Sequence, residues 1–172
     1  MPGSPSPPPP RKFWQRWLTD PILHQLTQGV SPEKIALTLA VGSALALFPI
    51  LGTTTLLCLA AGVALSLNQP IMQAINLLCG FIWIPLLVAF IRLGDRLTGR
   101  ATGTVDLPRM MALARHHPAG FLREFGATAL HGVLGWAVTA PLWIPLVYIL
   151  ARSPLRAAAE RINRRRGADA GA

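Results

Sequence analysis

The sequence predicts an all-α, polytopic helical membrane protein. It places short broken or re-entrant helices around Pro49–Gly52 and a spanning helix at each of 70–91 and 127–151. Three observations lead there. The 57 residues from Ile35 to Ile91 contain no Asp, Glu, Lys or Arg, and neither do residues 125–151. Charged residues are 13% of the chain, where a soluble domain carries about 25%. The polar segments around the apolar blocks, 1–34, 92–124 and 152–172, are net basic by +2, +3 and +4. The first apolar block is too long for one crossing, which takes about 20 apolar residues. It is also too long and too apolar for the core of so small a soluble domain.

A chain this basic suits nucleic acid or lipid headgroups. Bases that flank apolar spans favour anionic headgroups, which attract juxtamembrane Lys and Arg by about 1 kcal/mol each. Membrane lipid is therefore the expected partner, and nucleic acid is not. A second copy of the chain or an envelope protein are the protein partners left open.

Residues 1–12 read as a disordered proline-rich tail. They are not a signal peptide, because Arg11-Lys12 is followed by Phe13-Trp14-Gln15-Arg16-Trp17-Leu18 rather than by an apolar run. Residues 13–30 read as a basic amphipathic interfacial segment, with bases for phosphates and tryptophans at headgroup level. Within it Asp20-Pro21 starts a short helix and Gly29 ends it.

Residues 31–151 form the expected helical membrane domain. Ser31-Pro32-Glu33 supplies a cap, a first-turn proline and an acid at the positive helix end. The helix from Pro32 to about Phe48 is too short for a hydrocarbon core about 30 Å thick. After Gly52 a second short helix runs from Thr53 to Leu67, and Asn68-Gln69-Pro70 breaks it. Two arrangements fit: a re-entrant hairpin with Pro49–Gly52 at its tip, or one long helix broken in mid-membrane. Ala36, Ala40 and Ala44 share a face at spacing four, as do Gly62 and Ser66, which allows close helix contact in lipid.

Pro70 to Ile91 is long enough to span, with Pro85 as a kink and Arg92-Leu93-Gly94-Asp95-Arg96 closing it. Residues 92–124 then read as a polar loop. Within it Asp106-Leu107-Pro108 starts a helix and His116-His117-Pro118 stops it. Residues 127–151 are the last span, with Pro141 and Pro145 inside. Residues 152–172 read as a basic cytoplasmic tail, helical from Arg152 to Arg166 and fraying at Gly167-Ala168-Asp169. Charge places both termini in the cytoplasm of a bacterial inner-membrane protein. With 35–67 re-entrant, ten of the 16 Lys and Arg stay inside, four in 1–34 and six in 152–172.

Ser31-Pro32-Glu33-Lys34-Ile35-Ala36-Leu37, Gly42, Phe48-Pro49-x-x-Gly52-x-x-Thr55, Leu67-Asn68-x-Pro70, Asn76 and Arg92-Leu93-Gly94 resemble domain-of-unknown-function family 2062, small bacterial membrane proteins. The resemblance covers residues 28–100. It implies an inner-membrane location and no established function. Gly80-Phe81-Ile82-Trp83 stands where such proteins often carry a Pro-Leu-Gln-like segment.

Two groups of residues are candidate ligand or solute contacts. The first is the tip: Pro49, Gly52, Thr53, Thr54 and Thr55. A helix that begins inside a membrane aims its free N–H groups and positive end at one spot. The bland reading is threonines that cap their own helix or bond back one turn. The second is Gln69, Gln73 and Asn76, which with Gly80 form a polar stripe on an apolar helix that must face protein or water. Its bland reading is interhelical glue. His131 is a proton relay or, more simply, a hydrogen-bonded packing histidine. Cys58 and Cys79 act as small hydrophobes, with neither disulfide nor metal spacing. No cofactor or metal is expected. No acid pair, nucleophile with base or phosphate loop is present, so the chain is not expected to be an enzyme. A small transporter or lipid-handling protein using the Pro49–Thr55 tip is the first reading. A non-catalytic scaffold or anchor for envelope machinery is the second.

Overall fold

The computed structural model describes residues 20–27, 30–50, 52–100 and 106–170. Six helices make up its regular structure: α1 (Asp20–Thr27), α2 (Pro32–Ala46), α3 (Thr54–Ala64), α4 (Gln69–Thr98), α5 (Leu107–His116) and α6 (Pro118–Ala170). The proline-rich tail, the Trp14–Trp17 part of the interfacial segment and Gly29 lie outside the described residues.

Ser31 starts α2 as expected. Its Oγ accepts from Lys34 N at 3.3 Å, and Pro32 occupies the first turn. The chain then reverses. Gly52 takes φ +79°, a conformation open to glycine at little cost. α3 runs back along α2, so that Cys58 Sγ lies 4.0 Å from Gly42 O and Asn68 N donates to Thr38 Oγ1 at 3.4 Å. One long broken helix would put residues 38 and 68 at opposite ends. The antiparallel pair is a hairpin.

α3 closes on a pair of bonds that fits its exit: Leu67 N donates to Gly62 O at 2.8 Å and Ser66 N to Val63 O at 3.2 Å. This pairing needs a left-handed residue after the cap, usually glycine. Here Ser66 takes that place at φ +50°. Asn68 then caps α4, its Oδ1 accepting from Ile71 N at 3.1 Å with Pro70 in the first turn.

The expected stop at Arg92–Arg96 is corrected. α4 continues to Thr98 and ends on Gly99 at φ +68°. Gly94 serves another purpose: a Cβ there would fall on His131 O of α6, and a Cβ on Gly135 would fall on Phe90 O of α4. The two helices cross backbone to backbone at these glycines, antiparallel.

Further expectations are corrected. The polar loop expected at 92–124 is mostly helix among the described residues: beside the expected helix, which is α5, it holds the end of α4 and the start of α6. α5 starts after Asp106 and stops at His116, as expected, and Pro118 also opens α6, because proline suits a first turn. The break falls at His117, at φ −143° and ψ 71°. Nor is the tail separate. α6 runs unbroken for 53 residues with Pro141, Pro145 and Pro154 inside it, and Gly167 and Ala168 do not end it. Its last third is held by packing: Leu155 is buried against Ile35, Ala36, Ile71 and Ile75, and Ala158, Ala159 and Ile162 flank that cluster with Ile22 and Val30.

The core follows the alanine face. Ala36, Ala40 and Ala44 are all buried. A smaller cluster of Cys58, Leu67 and Met72 joins α3 to α4. α4 and α6 are long and apolar enough to cross a membrane, yet only 28% of the apolar window of α4 and 11% of that of α6 is buried.

Candidate functional site

The reversal between α2 and α3 carries the polar chemistry. It stands partway along α4, whose Trp83 donates Nε1–H to Phe48 O at 3.0 Å. A second indole from α6 reaches the same helix end: Trp136 Nε1 donates to Ala44 O at 2.8 Å. Phe48 and Trp136 also meet edge to face, with ring centroids 4.9 Å apart. The last carbonyls of a helix have no partner of their own. Here the Trp136 indole supplies the partner of Ala44 O, Trp83 holds Phe48 O just beyond the helix, and the two fix where the reversal sits.

On the side facing α3 and α4 a cavity of about 180 Å³ opens, lined by Ala46, Ile50, Gly52, Thr54, Asn76, Gly80 and Trp83. Gly80 leaves it room, since a Cβ there would meet nothing within 4 Å. Asn76 Nδ2 donates to Thr55 Oγ1 at 3.1 Å, which brings the two predicted groups together. Thr53 does not cap α3. Its hydroxyl donates back to Ile50 O at 2.8 Å and makes no cap bond to the helix start. The positive end of α3 thus faces a cavity that also carries the Thr54 hydroxyl and the Asn76 amide. Such a set receives an acceptor group, neutral or anionic.

The other predicted contacts separate. Pro49 turns away from the cavity and packs on Gly132 of α6, its Cβ 3.3 Å from where a Gly132 Cβ would stand. Gln69 sits at the far end of α3, donating Nε2–H to Leu59 O at 2.9 Å, in space left by Gly62. It is the expected glue, although its buried Oε1 has no partner among the described residues. Gln73 is half-buried and joins neither group.

Gly80 lines the cavity beside Asn76, as their shared stripe implies, but sequence reasoning missed Trp83 in the cavity wall. Indoles inside an apolar stretch do carry a signal, because a buried indole N–H needs an acceptor and so marks a nearby carbonyl.

A second polar cluster lies at the other end of α4. His131, 9% exposed, places Nδ1 2.7 Å from Asp95 Oδ1 and Nε2 3.5 Å from Thr98 Oγ1. Both ring nitrogens have partners, as in a packing histidine. Asp95, from the segment expected to close α4, is the carboxylate of this pair. Where α2 begins, Arg156 Nε donates to Glu33 Oε1 at 2.6 Å, and that bond holds the Glu33 carboxyl below its ordinary range. Among the described residues no three His, Cys, Asp or Glu side chains come together as a metal site.

No curated protein and no solved structure matches the chain. One family profile does match, over residues 13–164, well beyond the 28–100 in which its motifs are read. The match takes in the hairpin, α4, the indoles of α6 and the Glu33–Arg156 contact alike, and the chain belongs to the bacterial family described as uncharacterized protein conserved in bacteria (DUF2062).

Proposed function

We propose that this protein is a multi-pass protein of the bacterial inner membrane that binds the polar group of a solute or lipid in the cavity at the tip of a re-entrant hairpin. In this reading α4 and α6 cross the bilayer, α2 and α3 enter and return, and both termini are cytoplasmic. The protein transports or handles its ligand without catalysing a reaction on it. The observation that carries the reading is the cavity lined by Thr54, Asn76 and Trp83, placed partway along a helix long enough to span. The membrane setting draws support from the outer face of α6. Leu130, Leu134, Val138, Leu142, Leu146 and Leu150 are all exposed at spacing four, with Leu142 at 71%. On α4 the exposed Phe81 reaches 77%. In water so long an apolar stripe would drive aggregation; among acyl chains it needs no cover.

Ligand-dependent thermal stabilisation tests the site. Phosphatidylglycerol and inorganic phosphate, added separately to the purified protein in detergent, distinguish a lipid headgroup from a free anion. Gly80→Leu fills the cavity without a clash at Cβ. The reading expects one of the two probes to raise the Tm of the wild type and to leave that of Gly80→Leu unmoved. Equal shifts in both proteins, or none in either, would remove the cavity from the account.

A second reading, a membrane anchor for envelope proteins, has its own observation. α6 continues past its apolar part to Ala170, carrying exposed Arg156, Arg161 and Arg164. Loss of a co-purifying partner on deleting 157–172, with the cavity ligand retained, would favour it.

A further inference from the structure

A second cavity, of about 220 Å³, lies against the end of α2, where α2, α4 and α6 meet. Ala44, Leu47, Phe90 and Ala140 are its buried walls, and Trp136 and Trp143 stand at its rim. Its polar side chains are already bonded elsewhere. Trp136 donates to Ala44 O, as above. Trp143 Nε1 donates to Ser43 Oγ at 3.0 Å. The remaining hydroxyl, of Thr139, donates to Gly135 O and Trp136 O, each at 3.0 Å. Hydrocarbon and ring carbon are what the cavity presents.

Such a space does not suit water, which needs roughly two to four polar partners. Apolar cavities of about 150 Å³ stay dry and accept hydrocarbon ligands. The position of the opening says which hydrocarbon. Trp143 is 39% exposed, so the cavity reaches the outside beside α6. The opening lies on the flank of α4 and α6, within the stretches Gln69–Thr98 and Phe125–Arg164 that are apolar enough to cross a membrane, next to exposed Val138, Leu142 and Leu146. The cavity also follows the polar one along α4. Trp83 of the first and Phe90 of the second are seven residues apart, on one helix face and about 10 Å along the axis.

We infer that this second cavity holds a hydrocarbon chain of a bilayer lipid. The inference rests on the membrane reading above and selects its lipid-handling branch. Free solutes have no use for a dry chamber beside the polar one; an amphiphile has use for both.

Bromine locates the chain. The full-length protein is crystallised from a lipid mesophase doped with phosphatidylglycerol brominated at mid-chain. An anomalous bromine peak among Phe90, Trp136 and Ala140 is the expected result. Ordered water there, or bromine confined to the outer helix faces, overturns the inference. Native mass spectrometry supplies the solution counterpart. The wild type should retain a lipid through detergent washing that Ala140→Phe, which fills the cavity, has lost. Equal retention by a folded Ala140→Phe protein also overturns it. Release of the wild type by alkaline carbonate would take the membrane reading down as well. A carbonate-resistant protein with no bromine in the cavity defeats this inference alone.

Discussion

Trp83 of α4 donates its indole N–H to Phe48 O, the carbonyl that immediately precedes the Pro49 reversal. The bond joins the hairpin tip to the longest apolar stretch of α4. Trp83→Phe keeps an aromatic ring and leaves the carbonyl without its donor. The loss expected is about 1–3 kcal/mol, the range for a buried group left unpaired. Chemical unfolding in mixed micelles measures it. An unchanged midpoint would mean that water or lipid replaces the indole.

Gly52→Leu should destabilise the protein more than Ile50→Leu. No atom crowds Gly52, so the penalty is one of backbone conformation, about 1–2 kcal/mol for a side chain at positive φ. Ile50 lies at the edge of exposure and its replacement conserves volume. Equal thermal midpoints for the two variants would argue that the turn adopts another conformation.

Ser66→Gly should stabilise. Ser66 occupies the left-handed position of the α3 cap at φ +50°, where glycine carries no Cβ penalty. The gain expected is up to about 1 kcal/mol, partly offset by the freer unfolded chain. A lower midpoint would show that the serine hydroxyl contributes more than its backbone strain costs.

Acid should weaken the link between α2 and α6. Arg156 holds Glu33 below its ordinary value of 4.5, so the folded chain keeps this carboxylate ionised to lower pH than the unfolded chain does. Its contribution is full above that value and disappears as pH falls through the lowered one. Glu33→Gln should therefore lose less Tm than the wild type between neutral pH and pH values below 4.5. Parallel curves would show that the contact adds nothing, as is common for exposed pairs.

Reporter fusions decide the topology. A fusion at position 172 should report the cytoplasm and one at position 105 the periplasm. Cytoplasmic signals at both would mean that α6 does not cross, and a periplasmic signal at 172 would sink the re-entrant hairpin.

Local chemistry made much of the first half legible. Ser31-Pro32 and Asn68-x-Pro70 start helices because cap and first-turn residues act on their nearest neighbours. Gly52 marks the reversal because few residues other than glycine take its φ. The second half misled where the same residue type serves two ends. Pro118 was read only as a stop and is also a start. Gly94 was read as a terminator and is a crossing point. The site was legible only in part. Thr55 and Asn76 could each be named, but their bond spans 21 residues and depends on the hairpin closing. The Trp143–Ser43 bond spans 100 residues and the Asp95–His131 contact 36, beyond any periodicity. Those contacts are consequences of packing, and packing is not written in the spacing of either partner.

The unbroken course of α6 has a mechanical consequence. Its 53 residues make a rod about 80 Å long. It touches the hairpin tip at Gly132 and Trp136, and the start of the hairpin at Arg156. One helix thus ties the two ends of α2 together, and its wall of the second cavity, Trp136 to Trp143, lies between Gly132 and Arg156.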